Sequence, residues 1–166
     1  MGRLLFLQLL PELTHLTLRR ADQHGVQFAP VAAALASAPC AACLLRLELD
    51  NFACTSALLA SFLPAMVRLS ALDVSMHSTS LDSLAFLSTV PVLRTSLMEL
   101  RLIGLPGGDD RLPDAEFTHL RSLRCLRSLR LGSAVPGEVI DAVLLREFLP
   151  PARKMPALVS LVLERY

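Results

Sequence analysis

The sequence predicts an α/β solenoid in which about six short parallel strands form a curved inner sheet and the helices lie outside. Three observations support this fold class: a leucine triplet recurs along the chain, its intervals are similar in length, and the segments between the triplets carry helix signals. At 166 residues, of which 53% are hydrophobic, the chain is long enough for one continuous core. We therefore expect residues 1–166 to form a single repeat domain.

The repeated unit is the pattern L-x-x-L-x-L, whose starts are separated by 31, 25, 28, 29 and 32 residues. In a short strand, the second and third apolar residues would face the core and the residues between them would face outward. The second positions should then lie side by side in one parallel layer. The matches are Leu13/Leu16/Leu18, Leu44/Leu47/Leu49, Leu69/Leu72/Val74, Leu97/Leu100/Leu102, Leu126/Leu129/Leu131 and Leu158/Leu161/Leu163.

The intervals between the triplets carry apolar residues at helical spacing after a start signal. Proline then follows several of these segments, as it commonly does where a helix stops. The start signals are Thr55-Ser56, Ser80, Pro113-Asp114 and Pro136-Gly137, and the stop signals are Pro64, Pro91 and Pro150.

The stretch Leu10-Pro11-Glu12-Leu13-Thr14-His15-Leu16-Thr17-Leu18 resembles leucine-rich-repeat proteins of the ribonuclease-inhibitor-like group. Its residue pattern is most similar to that of the repeat regions of F-box proteins, and the resemblance extends from about Leu9 to Leu163. Such repeats bind other proteins, and in F-box proteins they hold substrates for ubiquitin ligation. The resemblance therefore implies a protein-binding module that serves as a ligase adaptor.

The chain departs from this family in three ways. The family motif places Asn or Cys three residues after the last leucine, whereas the equivalent residues here are Ala21, Phe52, His77, Leu105 and Ala134. No F-box is expected, because the first repeat begins without the helices that would precede it. Both ends lack polar capping units, which predicts a fragment, an uncapped solenoid, or self-association through an exposed edge strand.

The outward residues of the predicted strands are the candidate partner-binding surface. Charges of both signs concentrate there, and Asp73 should lie beside Arg101 and Arg19 beside Asp50. Two interpretations stay open: a solvated ladder of ion pairs, or a face that binds a protein partner. The candidate site residues are Arg19, Arg46, Glu48, Asp50, Asp73, Glu99, Arg101 and Arg130.

An alternative function is nucleic-acid binding through a run of arginines that recur every three residues. The repeat register divides this run between a helix end and a strand, and no aromatic platform accompanies it. A net charge of +1 also gives no bulk attraction to nucleic acid. A purely structural repeat fragment is the remaining alternative. The run comprises Arg121, Arg124, Arg127 and Arg130.

No residue pattern predicts catalysis, a metal site or a cofactor. Cys40 and Cys43 form a C-x-x-C motif, but a second pair of ligands is absent at zinc-site spacing. We therefore interpret the cysteines as inert core residues. The uncharged stretch of residues 28–45 contains two prolines and is too weakly apolar to span a bilayer. The sequence predicts a cytoplasmic or nuclear protein with no membrane partner.

Overall fold

The protein forms an α/β structure around one six-stranded, entirely parallel sheet whose strand order follows the chain order. The computed structural model describes residues 5–20, 28–76, 81–105, 114–132 and 155–164. The strands are β1 (His15–Arg19), β2 (Arg46–Asp50), β3 (Ala71–Ser75), β4 (Glu99–Ile103), β5 (Ser128–Gly132) and β6 (Ser160–Glu164).

The predicted alignment of the second leucine of each triplet is confirmed by the strand register. Each of these residues pairs with its counterpart on the next strand, from β1 through to β6. The α/β class and the number of parallel strands are therefore as the sequence predicts. The aligned residues are Leu16, Leu47, Leu72, Leu100, Leu129 and Leu161.

The backbone hydrogen bonds at the start of the strands repeat at all five strand pairs. The carbonyl of the residue preceding one strand accepts from the N–H of the first residue of the next strand and from the N–H of the residue before that. The Met98 carbonyl, for example, accepts from Arg127 at 2.8 Å and from Ser128 at 3.0 Å. Thr14, Leu45, Ser70 and Arg127 provide the equivalent carbonyls. The five junctions therefore have equivalent backbone hydrogen bonding despite the unequal repeat lengths.

The five α-helices of the described residues lie between strands. Helix α1 packs against α2, α2 against α3, and α3 against both α4 and α5. Short 3-10 helices at Leu5–Leu9, Pro39–Cys43 and Leu63–Ala65 complete the connections. Among the described residues, no helix is long and apolar enough to cross a membrane. The helices are α1 (Ala29–Ser37), α2 (Ser56–Phe62), α3 (Phe86–Thr89), α4 (Pro91–Ser96) and α5 (Asp114–Arg121).

Helix α2 begins at the predicted signal, with Thr55 as its N-cap residue and the Thr55 hydroxyl accepting from the backbone N–H of Leu58 at 3.2 Å. The prediction of a helix directly after Ser80 was wrong in its start, because α3 begins only at Phe86. The segment 81–85 instead forms a turn whose polar groups bond to neighbouring units. The helix predicted after Pro136-Gly137, with its stop at Pro150, lies outside the described residues.

The core is one cluster formed by leucine triplets and helix residues together. All the triplet residues of β2 to β5 are buried, whereas Leu13, Leu18 and the β6 triplet are only partly buried. A strand at the edge of the sheet has one neighbour instead of two, which explains this difference. Burial of the triplets on one face leaves the opposite face of the sheet for polar side chains.

The turns after β2 and β4 show core packing and positive φ angles. Phe52, at one of the asparagine positions, packs its ring against Phe28 with centroids 5.1 Å apart, and Leu105 also packs against the core. The residues that follow β2 and β4, Asn51 and Gly104, have φ angles of 63° and 86°, the left-handed region that glycine and asparagine tolerate best. Ala21, His77 and Ala134 lie outside the described residues.

Candidate partner-binding face

The polar face of the sheet is the surface formed by the first, third and fifth residues of the strands. Its middle row runs across the sheet through Thr17, Glu48, Asp73, Arg101 and Arg130, which are register partners on successive strands. Because side chains alternate along a strand, this face is opposite the leucine core. All eight predicted site residues lie on it, distributed over β1 to β5.

Both ion pairs that the sequence predicts are confirmed. Arg19 Nε lies 2.6 Å from Asp50 Oδ2, and Arg101 Nη1 lies 3.1 Å from Asp73 Oδ2. Arg101 also donates to the hydroxyl of Ser75 at 3.1 Å, and that hydroxyl donates to Asp73 Oδ1 at 2.7 Å. Arg101 and Asp73 are therefore joined both directly and through a serine.

Arg46 makes a contact that sequence reasoning missed. Its guanidinium reaches across β3 to Glu99 on β4, with Nη1 3.3 Å from Oε2. The residue between them is Ala71, the register partner of both Arg46 and Glu99. Ala71 has only a methyl group, so it leaves space above β3 for a long side chain from either neighbour. A small outward residue flanked by opposite charges is the signal that predicts such a contact.

Arg46 and Glu48 lie on the same strand and form a second short ion pair, with Nε 2.6 Å from Oε1. This hydrogen bond is the main reason why the pKa of Glu48 lies below its ordinary value of 4.5, with a further contribution from the Thr17 hydroxyl, which donates at 3.0 Å. The same hydrogen bond raises the pKa of Arg46. Glu48 and Asp73, neighbours in register, are thus each held by an arginine and a hydroxyl.

Two shallow cavities lie on the polar face. The larger, about 410 Å³, is centred over β3 and β4, and its charged lining residues comprise three arginines and two acids. The smaller, about 250 Å³, lies towards β1 and reverses this balance, with two arginines and three acids. The charged residues of the larger cavity are Arg46, Asp73, Glu99, Arg101 and Arg130, and those of the smaller are Arg19, Glu48, Asp50, Asp73 and Arg101.

Arg130 extends the larger cavity towards β5. It is exposed, and it pairs in register with Arg101, so two guanidinium groups project from adjacent strands. Ser128 and Gly132, the other outward residues of β5, are small. An incoming side chain can therefore approach the two arginines from the β5 side. Guanidinium groups bind carboxylates with bidentate geometry, which makes this end of the face suited to an acidic group.

The arginine run is divided among several elements, as the repeat register predicts. Arg121 is the last residue of α5, Arg124 lies in a turn, and Arg127 directly precedes β5. Arg130 alone lies on the polar face. The four arginines therefore do not line one surface, as a basic helix would require for nucleic-acid binding.

The cysteines do not cluster around a metal site within the part of the chain that the structure describes. Cys40 and Cys54 are buried, and burial raises the pKa of both thiols, that of Cys54 to about 12. Cys43 and Cys125 are partly exposed. A raised pKa disfavours the thiolate, which is the reactive form in redox chemistry and metal binding.

Comparison with known proteins adds no relative. A scan against protein-family models and searches of curated proteins and of solved structures returned no match to this chain.

Proposed function

We propose that this protein is a leucine-rich-repeat protein whose polar face, on the inside of a horseshoe, binds another protein. The observation that carries the proposal is the larger cavity over β3 and β4, which is lined by charges of both signs and built on neighbouring strands of the sheet. A side chain of a partner can enter it and meet Arg101 and Arg130 on one side and Glu99 on the other. Complementary charge arrangements of this kind mainly determine specificity and association rate.

The stability gained from ion pairing does not by itself explain why the polar face carries so many charged residues. Exposed pairs contribute about 0–1 kcal/mol each, and the side chains of Arg46 and Glu99 remain 42% and 59% exposed. The leucine core accounts for the fold without them. A solvated ladder with no partner is the competing explanation, and it predicts that altering the cavity changes no interaction.

The test begins with capture of partners on the immobilised full chain, followed by purification of the strongest candidate. Calorimetry then measures the affinity of this partner for the wild-type chain and for two variants. Ala71→Trp places a bulky ring in the cavity, and Arg101→Glu/Arg130→Glu reverses the charge of two arginines that line it. We expect each variant to weaken binding by about tenfold or more, equivalent to about 1.4 kcal/mol. Ala57→Trp, at an exposed position of α2, is the matched control and should bind as the wild type does.

Equal affinity of all four proteins would eliminate the polar face as the binding site. Circular dichroism of each variant verifies that the strands and helices are intact. The ligase-adaptor role, which rests on the resemblance to F-box repeats, has its own readout. The partner should be ubiquitinated faster in cells that express this chain fused to an F-box than in cells that express the chain alone.

A further inference from the structure

A second surface lies at the edge of the sheet where the strands begin. We call it the arginine edge and define it by Arg68, Arg124 and Arg127 together with the exposed apolar residues Val67, Met98 and Val159. These residues lie in the segments that lead into β3, β4, β5 and β6. The polar face does not include any of them.

Backbone hydrogen bonds align part of this edge as a continuous row. The Met98 carbonyl accepts from the Arg127 N–H at 2.8 Å, and the Arg127 carbonyl accepts from the Val159 N–H at 2.8 Å. Met98, Arg127 and Val159 therefore occupy the same position on three neighbouring units, about 4.8 Å apart at the spacing of sheet strands. Arg124 is connected to the preceding unit through its N–H, which donates to the Arg94 carbonyl at 3.1 Å.

The charge of this edge has one sign. Residues 63–70, 90–98, 119–127 and 155–159, which lead into β3 to β6, contain five arginines and no Asp or Glu. Among the described residues that lead into β1 and β2, one is acidic, Glu12. It precedes β1 and therefore lies at the far end of the sheet. Within these described segments, an anionic partner would therefore meet no like charge.

Helix ends explain only some of these arginines. Arg94 and Arg121 lie in the last turns of α4 and α5, where a positive charge interacts favourably with the helix dipole. Arg68, Arg124 and Arg127 lie outside any helix and are exposed. The fold thus has no evident requirement for their charge.

Exposed apolar side chains occur between these arginines. Val67, Met98 and Val159 are 56%, 41% and 86% exposed. Every exposed large apolar residue of the described chain lies in a segment that leads into a strand, the others being Phe6, Leu9 and Leu10 before β1. Arginine and methionine are enriched at protein interfaces. The described segments that precede β3 to β6 contain no Phe, Tyr or Trp on which a base could stack.

We propose that the arginine edge binds an acidic segment of a partner protein, with carboxylates on Arg124 and Arg127 and apolar side chains on Met98 and Val159. The proposal does not depend on the polar face. The probe is a fluorescein-labelled peptide in which Glu alternates with Leu, and its binding to the full chain is followed by fluorescence anisotropy. Two comparison peptides replace Glu with Lys or Leu with Ser.

We expect the Glu-Leu peptide to bind and both comparison peptides to bind at least about tenfold more weakly, a difference of about 1.4 kcal/mol. Arg124→Gln/Arg127→Gln should weaken the Glu-Leu peptide by about the same factor. Ala57→Glu/Thr118→Glu lowers the net charge equally, at exposed helix positions, and should leave the affinity unchanged. Arg124→Glu/Arg127→Glu should reverse the preference and bind the Lys-Leu peptide.

Three outcomes would overturn the proposal: no binding of the Glu-Leu peptide, equal loss in the helix control, or no reversal of preference in the charge-swapped variant. Polyuridylate and phosphatidylserine vesicles are tested in parallel. Tighter binding of either than of the Glu-Leu peptide would assign the edge to nucleic acid or to a lipid surface instead. Circular dichroism and thermal unfolding establish that each variant is folded.

Discussion

Glu48 shows how one residue connects the charge of the polar face to stability. Arg46 and Thr17 stabilise its carboxylate, which lowers its pKa in the folded protein. A carboxylate with a lowered folded pKa stabilises the protein fully above the pKa it has in the unfolded chain. That contribution is lost as the pH falls below about 4.5 and through the folded value.

The first prediction concerns the acid side of the stability profile. Glu48→Gln should reduce the free energy of unfolding at pH 7 by less than about 1 kcal/mol, because the pair is partly exposed. Below the ordinary carboxyl pKa, the variant should lose stability less steeply than the wild type. Urea unfolding at a series of pH values measures both effects. Glu12→Gln, at an exposed position before β1, is the control. If the unfolding free energy of Glu48→Gln changed with pH as steeply as that of the wild type, the prediction would be contradicted.

Residues such as Asp73 and Arg101 could be placed from the sequence because side-chain alternation and repeat register determine strand neighbours. The contact between Arg46 and Glu99 was not predicted, since it spans two strands and depends on the space above Ala71. The length of the guanidinium side chain and the size of the intervening residue decide such a contact. Neither enters a pattern based on periodicity.

At the scale of elements, the start of α2 and the turn before α3 stabilise each other across two units. The Ser56 N–H donates to Asp82 Oδ1 at 2.6 Å, and the Ser56 hydroxyl accepts from the Phe86 N–H at 2.9 Å. Asp82 also accepts from the N–H of Ser83 at 3.0 Å. These bonds satisfy backbone donors that a helix start leaves without partners inside the helix.

The next unit repeats this arrangement with another acidic residue. Glu116 on α5 accepts from the hydroxyl of Ser83 at 3.0 Å and from the backbone N–H of Leu84. Acidic side chains from one unit thus bind the turn of the unit before it. The helix start at Phe86 could not be predicted from Ser80, because these contacts come from residues about 26 to 33 positions away in the chain.

The second prediction tests this exchange. Asp82→Ala removes the acceptor for the Ser56 N–H and should lower the free energy of unfolding by about 1–2 kcal/mol, in the range of a lost helix cap or buried hydrogen bond. Chemical denaturation measures the change. Glu12→Ala, which removes an exposed acid elsewhere, should stay within about 0.5 kcal/mol of the wild type. A loss for Asp82→Ala no larger than that of this control would show that the bond contributes nothing.

At the scale of the whole molecule, strand-to-strand contacts join each unit to its neighbours in chain order. In such an arrangement, stability is approximately the sum of the units and of the interfaces between them. In the part of the chain that the structure describes, the inner units have two strand interfaces and the units of β1 and β6 have one. The β6 triplet is partly buried and the β4 triplet is completely buried, in agreement with this difference in the number of interfaces.

The third prediction follows from this difference between inner and edge strands. Leu100→Ala on β4, where the side chain is 2% exposed, should cost about 2–5 kcal/mol, because the change opens a cavity between two packed neighbours. Leu161→Ala on β6 makes the same chemical change in a partly buried position and should cost less than half as much. Guanidinium unfolding of both variants gives the ratio. Equal losses would contradict the prediction and mean that β6 is covered as fully as β4 in solution. Self-association through the edge strand, with a second copy of the chain against β6, would produce that result. In that case dilution should lower the stability of the wild type, and a denaturation midpoint that is independent of protein concentration would exclude self-association.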